Sequence, residues 1–173
     1  MQLVKSKQRR SSKGGGLIEF ALLVPLLFLL MINVVNFGGF LYAWIAVSNA
    51  ARTGAQYLST GNATIGAPTA PAVATVTALV NADLHALPNS STAQVCISKS
   101  SSVTVTCNTG TAPAGAPPAA EAAEGGITYV MGAVDVTYTY QPFIPLWDFT
   151  RLRIHATLPP TQLHRQAKMR ILD

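Results

Sequence analysis

Phe20-Ala-Leu-Leu-Val-Pro-Leu-Leu-Phe-Leu-Leu-Met-Ile32 opens an apolar run that continues through Val34, Val35, Phe37 and Phe40 to Val47. The 32 residues from Phe20 to Ala51 carry no charge. A helix needs about 20 apolar residues to cross a bilayer, so the run is read as a membrane-spanning helix. Before it, Lys5, Lys7, Arg9, Arg10 and Lys13 supply five of the twelve basic residues, and no acidic residue precedes Glu19. After it only Arg52 lies close. Short basic flanks stay on the cytoplasmic side, which puts the N-terminus in the cytoplasm and the bulk of the chain beyond the membrane.

Working outward, the composition agrees. Only 11% of the 173 residues are charged, against about 25% in a typical soluble domain. The net charge of +5 belongs to the leader: from Gly15 onward seven basic residues face seven acidic ones. Nucleic-acid binding needs clustered Lys and Arg to neutralise phosphates, so no nucleic-acid partner is expected. His85, His155 and His164 form no spaced ligand pair, and neither a nucleophile elbow nor a phosphate loop is present. The expectation is therefore a protein that is not an enzyme, with no metal, no cofactor and no small-molecule substrate.

A secretory signal peptide also joins a basic start to an apolar core, but that core is about 7–15 residues long and ends at a small-residue cleavage site. Here the run is longer and no polar region follows it. An uncleaved signal anchor, holding a periplasmic binding or scaffold domain, is the plainest alternative. It leaves Glu19 unexplained, because a carboxylate inside an apolar segment is costly and marks a functional position.

Lys13 is followed by Gly14-Gly-Gly-Leu-Ile-Glu-Phe20. This resembles the processing site of type IV prepilins, where a peptidase cuts after a glycine and a glutamate stands five residues beyond the cut. Cutting after Gly14 makes Gly15 the first residue and Glu19 the fifth. The Glu19-Phe20 pair is the form of the tight-adherence (Flp) branch. With Glu19-Phe-Ala-Leu-Leu-Val-Pro-Leu26 and Ala50-Ala-Arg-Thr-Gly-Ala55 about thirty residues on, the chain resembles the TadE-like family of minor pilin-like proteins over roughly residues 14 to 57. The triple glycine departs from the pattern and leaves the cut open among Gly14 to Gly16, although only Gly14 gives the family spacing.

The resemblance implies a minor pilin or pseudopilin of a tight-adherence (Flp-type IVb) pilus. Its implied partners are a prepilin peptidase, other pilus subunits, the inner-membrane assembly platform and membrane lipid. It implies a bacterial inner-membrane location with a periplasmic C-terminal domain, which becomes extracellular once assembled. Gly14, Gly15, Glu19 and Phe20 would direct processing, and Glu19 would meet a neighbouring subunit's new N-terminal amine. Pro25 removes a backbone donor from the helix and tends to kink it, as either an imperfect anchor or an assembly hinge, and Gly38 and Gly39 form a second soft point. Asn33 falls about 40° from Glu19 around an ideal helix. Asn33 and Asn36 are each expected to hydrogen-bond to a partner helix rather than face lipid.

Beyond the apolar run a continuous helix from Leu17 to Leu58 is expected, then a linker from Ser59 to Pro71. Val73, Val76, Val80, Leu84 and Leu87 recur at helical spacing, and Pro88 closes them. Val95–Ser98 and Val103–Cys107 read as strands. A two-residue turn at Ser101 and Ser102 would set Cys96 opposite Cys107, and export favours a disulfide between them. Thr109 to Gly126 reads as a loop with one helical turn at Ala119 to Ala123. Ile127 to Gln141 alternates as the best strand, with Val134, Val136, Tyr138 and Tyr140 on one face. Leu152 to Leu158 reads as a last strand with a basic outer face, and Thr161 to Asp173 as a solvated charge run.

The expected fold class is α+β: a long N-terminal membrane helix, pilin-like, followed by a small extracytoplasmic domain with one helix and an antiparallel sheet. Its parts are a basic leader (1–14), the transmembrane and amphipathic helix (15–58) and the domain (59–173).

Overall fold

A computed structural model describes residues 15–60, 72–100, 102–111, 121–122, 128–144, 148–149, 154–155 and 157–171. The leader with Gly14, most of the Ser59–Pro71 linker and much of the Thr109–Gly126 loop lie outside the described residues.

Helix α1 (Gly15–Thr60) runs for 46 residues, about 69 Å at 1.5 Å per residue. It continues through Pro25, whose missing N–H removes one helical bond, and through Gly38 and Gly39. Up to Met31 every residue is exposed; from Ile32 onward one stripe is buried. Ile32, Asn36, Ala43, Val47, Ala50, Ala51, Gly54, Ala55 and Leu58 recur at helical spacing along that stripe. Its side chains are mostly small, so the neighbouring elements come close. A Cβ at Gly54 would sit 3.2 Å from both Val134 and Val80.

Helix α2 (Val73–Leu84) buries Val76, Val80 and Leu84 against that stripe. Leu87, expected as the last helical contact, is buried but lies beyond the helix end. Pro88 explains the early stop, because the residue before a proline is driven out of the helical region. Asn89 takes a left-handed conformation (φ 57°), which Asn tolerates better than most residues, and a single 3-10 turn at Ser90–Thr92 leads into the sheet.

The strands are β1 (Gln94–Lys99), β2 (Ser102–Cys107), β3 (Glu121–Ala122), β4 (Thr128–Tyr129), β5 (Met131–Tyr140), β6 (Asp148–Phe149), β7 (Ile154–His155) and β8 (Thr161–Arg170). The main sheet is antiparallel in the order β2-β1-β5-β8. Val134, Val136, Tyr138 and Tyr140 face the helices, as their alternation predicts. Together with α1 this is a long apolar helix followed by a small domain of one short helix and a four-stranded antiparallel sheet.

Three expectations are corrected. The segment Thr161 to Asp173, read only as a charge run on a solvated face, holds a strand: residues 161–170 pair with β5 along ten consecutive residues, with Leu163, Ala167 and Met169 packed on the core and Lys168 and Arg170 exposed on the other face. β5 supplies the partner that Gln, Arg, Lys, Ala and Met, all good helix formers, do not announce locally. Of the strand expected from Leu152 to Leu158, Leu152, Arg153 and Ala156 lie outside the described residues; Ile154–His155 form a short strand paired with Asp148–Phe149, and Thr157 and Leu158 are not in a strand. Glu121 and Ala122 belong to a short strand opposite Thr128 and Tyr129, not to a helical turn.

Cys96 pairs with Cys107 and the two are joined by a disulfide. The turn differs from the one expected, since Lys99 pairs with Ser102 and a register shift between Ile97 and Lys99 takes up the difference. Ser100 anchors this end of the hairpin: its N–H donates to the Met131 carbonyl and its Oγ accepts from the Met131 N–H, each at 2.8 Å.

The disulfide closes a loop of eleven residues, which in the chain-entropy view is worth roughly 3 kcal/mol. Protein taken from cells should resist alkylation at both cysteines until reductant is added. The double variant Cys96→Ala/Cys107→Ala should unfold at lower temperature by a corresponding amount. Full labelling of both thiols without reductant would remove the bridge from the account.

Candidate functional site

The expected processing and assembly residues line the first half of α1. Gly15, Glu19, Phe20 and Pro25 all lie on the exposed length of the helix, and Asn33 is half-buried where the domain begins to cover it. The fold does not gather them into a pocket. Fourteen residues separate Glu19 from Asn33, about 21 Å along the axis. Among the described residues no cation pairs with Glu19. The Asn33 side chain donates to the Leu29 carbonyl of its own helix at 2.9 Å.

Around these residues α1 is long and apolar enough to cross a membrane as a single-pass anchor. Leu22, Val24, Leu27, Phe28 and Leu29 point outward on different sides of the helix. A helix apolar all round is compatible with lipid or with other apolar helices, not with water.

The place where this bare helix enters the domain holds a second cluster, which the sequence did not reveal. Asn36 is 1% exposed. Its Nδ2 donates to the Ile144 carbonyl at 2.9 Å, and its Oδ1 accepts from the Ile144 N–H at 3.1 Å. The backbone carbonyl of Asn36 accepts from the Tyr140 hydroxyl at 2.7 Å. One residue of α1 is thus clamped three ways to the end of β5 and the loop after it. This corrects the expectation that Asn36 serves a partner helix, since both ends of its amide are used within the chain.

Beside the clamp, Gly39 lies directly under the Phe143 ring, where a Cβ would clash. Gly39 is therefore a close-approach glycine inside an unbroken helix. Phe37, Phe40 and Trp44 form an aromatic row, and Phe40 meets the Tyr140 ring edge-on at 5.6 Å. The Arg165 guanidinium lies 3.4 Å from the centroid of the Trp44 ring, an attractive cation–π contact. Arg165 shares a face of β8 with Leu163 and Ala167, and its ring partner Trp44 is too distant in the chain for any local pattern to announce it.

Burial raises the pKa of both Tyr138 and Tyr140 above 10.0, with the Tyr140 charge a further, smaller cause at Tyr138. The Tyr138 hydroxyl donates to the Pro88 carbonyl at 2.6 Å. On the opposite face of the sheet the buried Asp135 carboxylate lies 3.0 Å from His164 Nε2 and accepts from Gln166 Nε2 at 3.1 Å. Among the described residues no three His, Cys, Asp or Glu side chains come together as metal ligands would.

The molecule is thus an exposed apolar helix, long enough to cross a membrane, that turns amphipathic and carries a small α+β domain. Residues 14–56 match the family model of the TadE-like proteins, a pilus-associated family. The matched segment covers nearly all of α1 and stops before the sheet domain. No curated protein and no solved structure matches the chain.

Two outcomes follow for the clamp and the tyrosines. Asn36→Leu leaves the Ile144 N–H and carbonyl without partners, and unsatisfied buried groups cost about 1–3 kcal/mol each. Asn36→Asp should fail as a rescue, because a carboxylate cannot donate to the carbonyl. Thermal unfolding in detergent, followed by near-UV circular dichroism, should show both variants well below the parent. The fold favours neutral phenols, so the tyrosines' contribution is complete below pH 10. It declines as pH rises above 10, where the unfolded chain loses its phenolic protons first. The decline should shrink in Tyr138→Phe.

Proposed function

We propose that this chain is a minor pilin or pseudopilin of a tight-adherence (Flp-type) pilus, made as a precursor and cut after Gly14 by a prepilin peptidase. The match of residues 14–56 to the TadE-like family carries the reading, and the glycine-to-glutamate spacing of Gly14 and Glu19 supports it. The proposed orientation follows the charge asymmetry: leader in the cytoplasm, α1 in the inner membrane, sheet domain in the periplasm. Its partners are the peptidase, the other pilus subunits and the inner-membrane assembly platform, and the domain leaves the membrane with the pilus.

The chemistry of assembly rests on Glu19. Cleavage frees an α-amine of reference pKa about 7.7, which is largely protonated at neutral pH. An acid in a transmembrane segment is penalised by up to about 3 kcal/mol at mid-membrane and less near the end. Two opposite charges brought together in a low-dielectric layer attract far more strongly than in water. A neighbouring subunit's amine therefore satisfies Glu19, and assembly removes a liability that the isolated subunit carries. Gly15 and Phe20 flank the pair, and the outward apolar side chains supply the packing surface. Pro25 lets the helix adjust, and Asn33 offers a polar contact on a nearby face.

N-terminal sequencing and intact mass of membrane-extracted protein should find Gly15 as the first residue. An intact Met1 would instead favour an uncleaved signal anchor. In a strain where cleavage is verified, Glu19→Ala should leave membrane insertion intact and reduce incorporation into, or initiation of, the pilus. Glu19→Asp should fall between. Normal surface pili and normal co-purification of pilus subunits with correctly cleaved Glu19→Ala would overturn the role given to this carboxylate.

A further inference from the structure

We infer that the loop of Phe143 and Ile144, with Leu158 beside it, forms a membrane-interface anchor. It seats the foot of the domain in the headgroup layer of the bilayer that α1 crosses, with the hydrocarbon boundary near Asn36. The inference rests on α1 being a membrane anchor and adds where the membrane ends and which other residues touch it.

The first argument is length. Gly15 to Asn36 is 22 residues, about 33 Å of helix, close to the roughly 30 Å hydrocarbon core. Large exposed apolar side chains nevertheless continue to Ile45, which is 58% exposed. Ile45 lies nine residues, about 14 Å, beyond Asn36, so this exposed apolar surface continues through the headgroup layer on that side. The domain begins to cover α1 at Ile32 and Asn36, at the edge of the hydrocarbon core. Its foot therefore lies inside the headgroup layer when the helix crosses the bilayer.

The second argument is chemical layering. The outward side chains of α1 are mostly aliphatic from Leu17 to Val35, and Phe37, Tyr42 and Trp44 follow. Aromatic residues with a polar atom gather at membrane interfaces. Phe143 and Ile144, 52% and 41% exposed, lie at the same level, held there by the Asn36 clamp and by Gly39. Leu158 shares an apolar groove with Leu30, Val34, Phe37 and Gly38. Next above comes Arg165 on Trp44, eight residues or about 12 Å beyond Asn36 along the helix.

The third argument concerns the backbone. A loop near hydrocarbon has peptide groups that lipid cannot satisfy. The Asn36 amide occupies both the N–H and the carbonyl of Ile144, so this residue of the apolar loop tip presents no bare backbone group. This also sets the depth of the charge at the other end: Glu19 lies 17 residues below Asn36, about 26 Å, near the opposite face of the hydrocarbon core.

The test uses the full chain with Trp44→Phe and Trp147→Phe as background and one new tryptophan at a time. The protein is reconstituted in phosphatidylcholine–phosphatidylglycerol vesicles whose acyl chains are brominated either near the headgroup or near the chain end. Phe143→Trp and Ile144→Trp should each lose emission about twofold with the shallow bromines and less with the deep ones, as a side chain in the interface would. Leu26→Trp should show the reverse order, and Asp83→Trp, on the exposed face of α2, should not respond. Unquenched probes at both 143 and 144 beside a deeply quenched Leu26 probe overturn the interface anchor while leaving the spanning helix intact. An unquenched Leu26 probe overturns the spanning helix and the inference with it. Equal quenching at Asp83 also overturns the inference, because contact would then not be confined to the foot of the domain.

Discussion

One helix has to satisfy two different surroundings, and the rest of the molecule is arranged around that requirement. Over its first half α1 is apolar on every side, as lipid or a bundle of like helices demands. Over its second half only one stripe can be apolar, because water and a β-sheet share its circumference. Ala43, Ala50, Ala51, Gly54 and Ala55 make that stripe thin, so β5 and α2 approach closely. The large side chains at the interface come from the other elements, chiefly Val134, Val136, Tyr138 and Tyr140. Dense packing of small against large side chains leaves little room for repacking, so the domain is held rigidly to the helix that carries it.

The changeover is concentrated at Asn36. A polar side chain there would be expensive if unpaired, yet it is fully used by Ile144, and its own carbonyl is used by Tyr140. The contacts join positions more than a hundred residues apart in the chain. They lie where the helix stops being bare. Gly39 under Phe143 and the aromatic row from Phe37 to Trp44 widen the same joint.

For a pilin-like protein this division of labour is useful. The exposed half of α1 carries its single charge, Glu19, with which no cation among the described residues pairs. Whatever pairs with that carboxylate must come from outside the described chain. The disulfide and the antiparallel ladder hold the sheet domain together.

How much of this was legible depends on the range of the interactions. The uncharged run from Phe20 to Ala51, the 3.6-residue spacing of Val76, Val80 and Leu84, and the alternation along β5 are local patterns. Each is set by which face meets apolar surroundings, and each led to the correct element. The opposition of Cys96 and Cys107 was likewise readable from a short hairpin, although the turn itself moved by a residue. The residues expected to direct processing and assembly were legible only as a motif, Gly14 to Phe20; Gly15, Glu19 and Phe20 are exposed on α1 and are not gathered into a pocket. Strand β8 was not legible, because Thr161–Arg170 has a helix-former's composition and becomes a strand only when β5 offers ten residues of unpaired backbone. Nor were the roles of Asn36, Gly39 and Arg165, each defined by a partner distant in sequence: Ile144, Phe143 and Trp44. Local chemistry by itself determined the long helix, its charge and the sheet's central strand; tertiary structure decided what closes the sheet and what grips the helix, because hydrogen-bond and ring partners far apart in the chain leave no periodic trace.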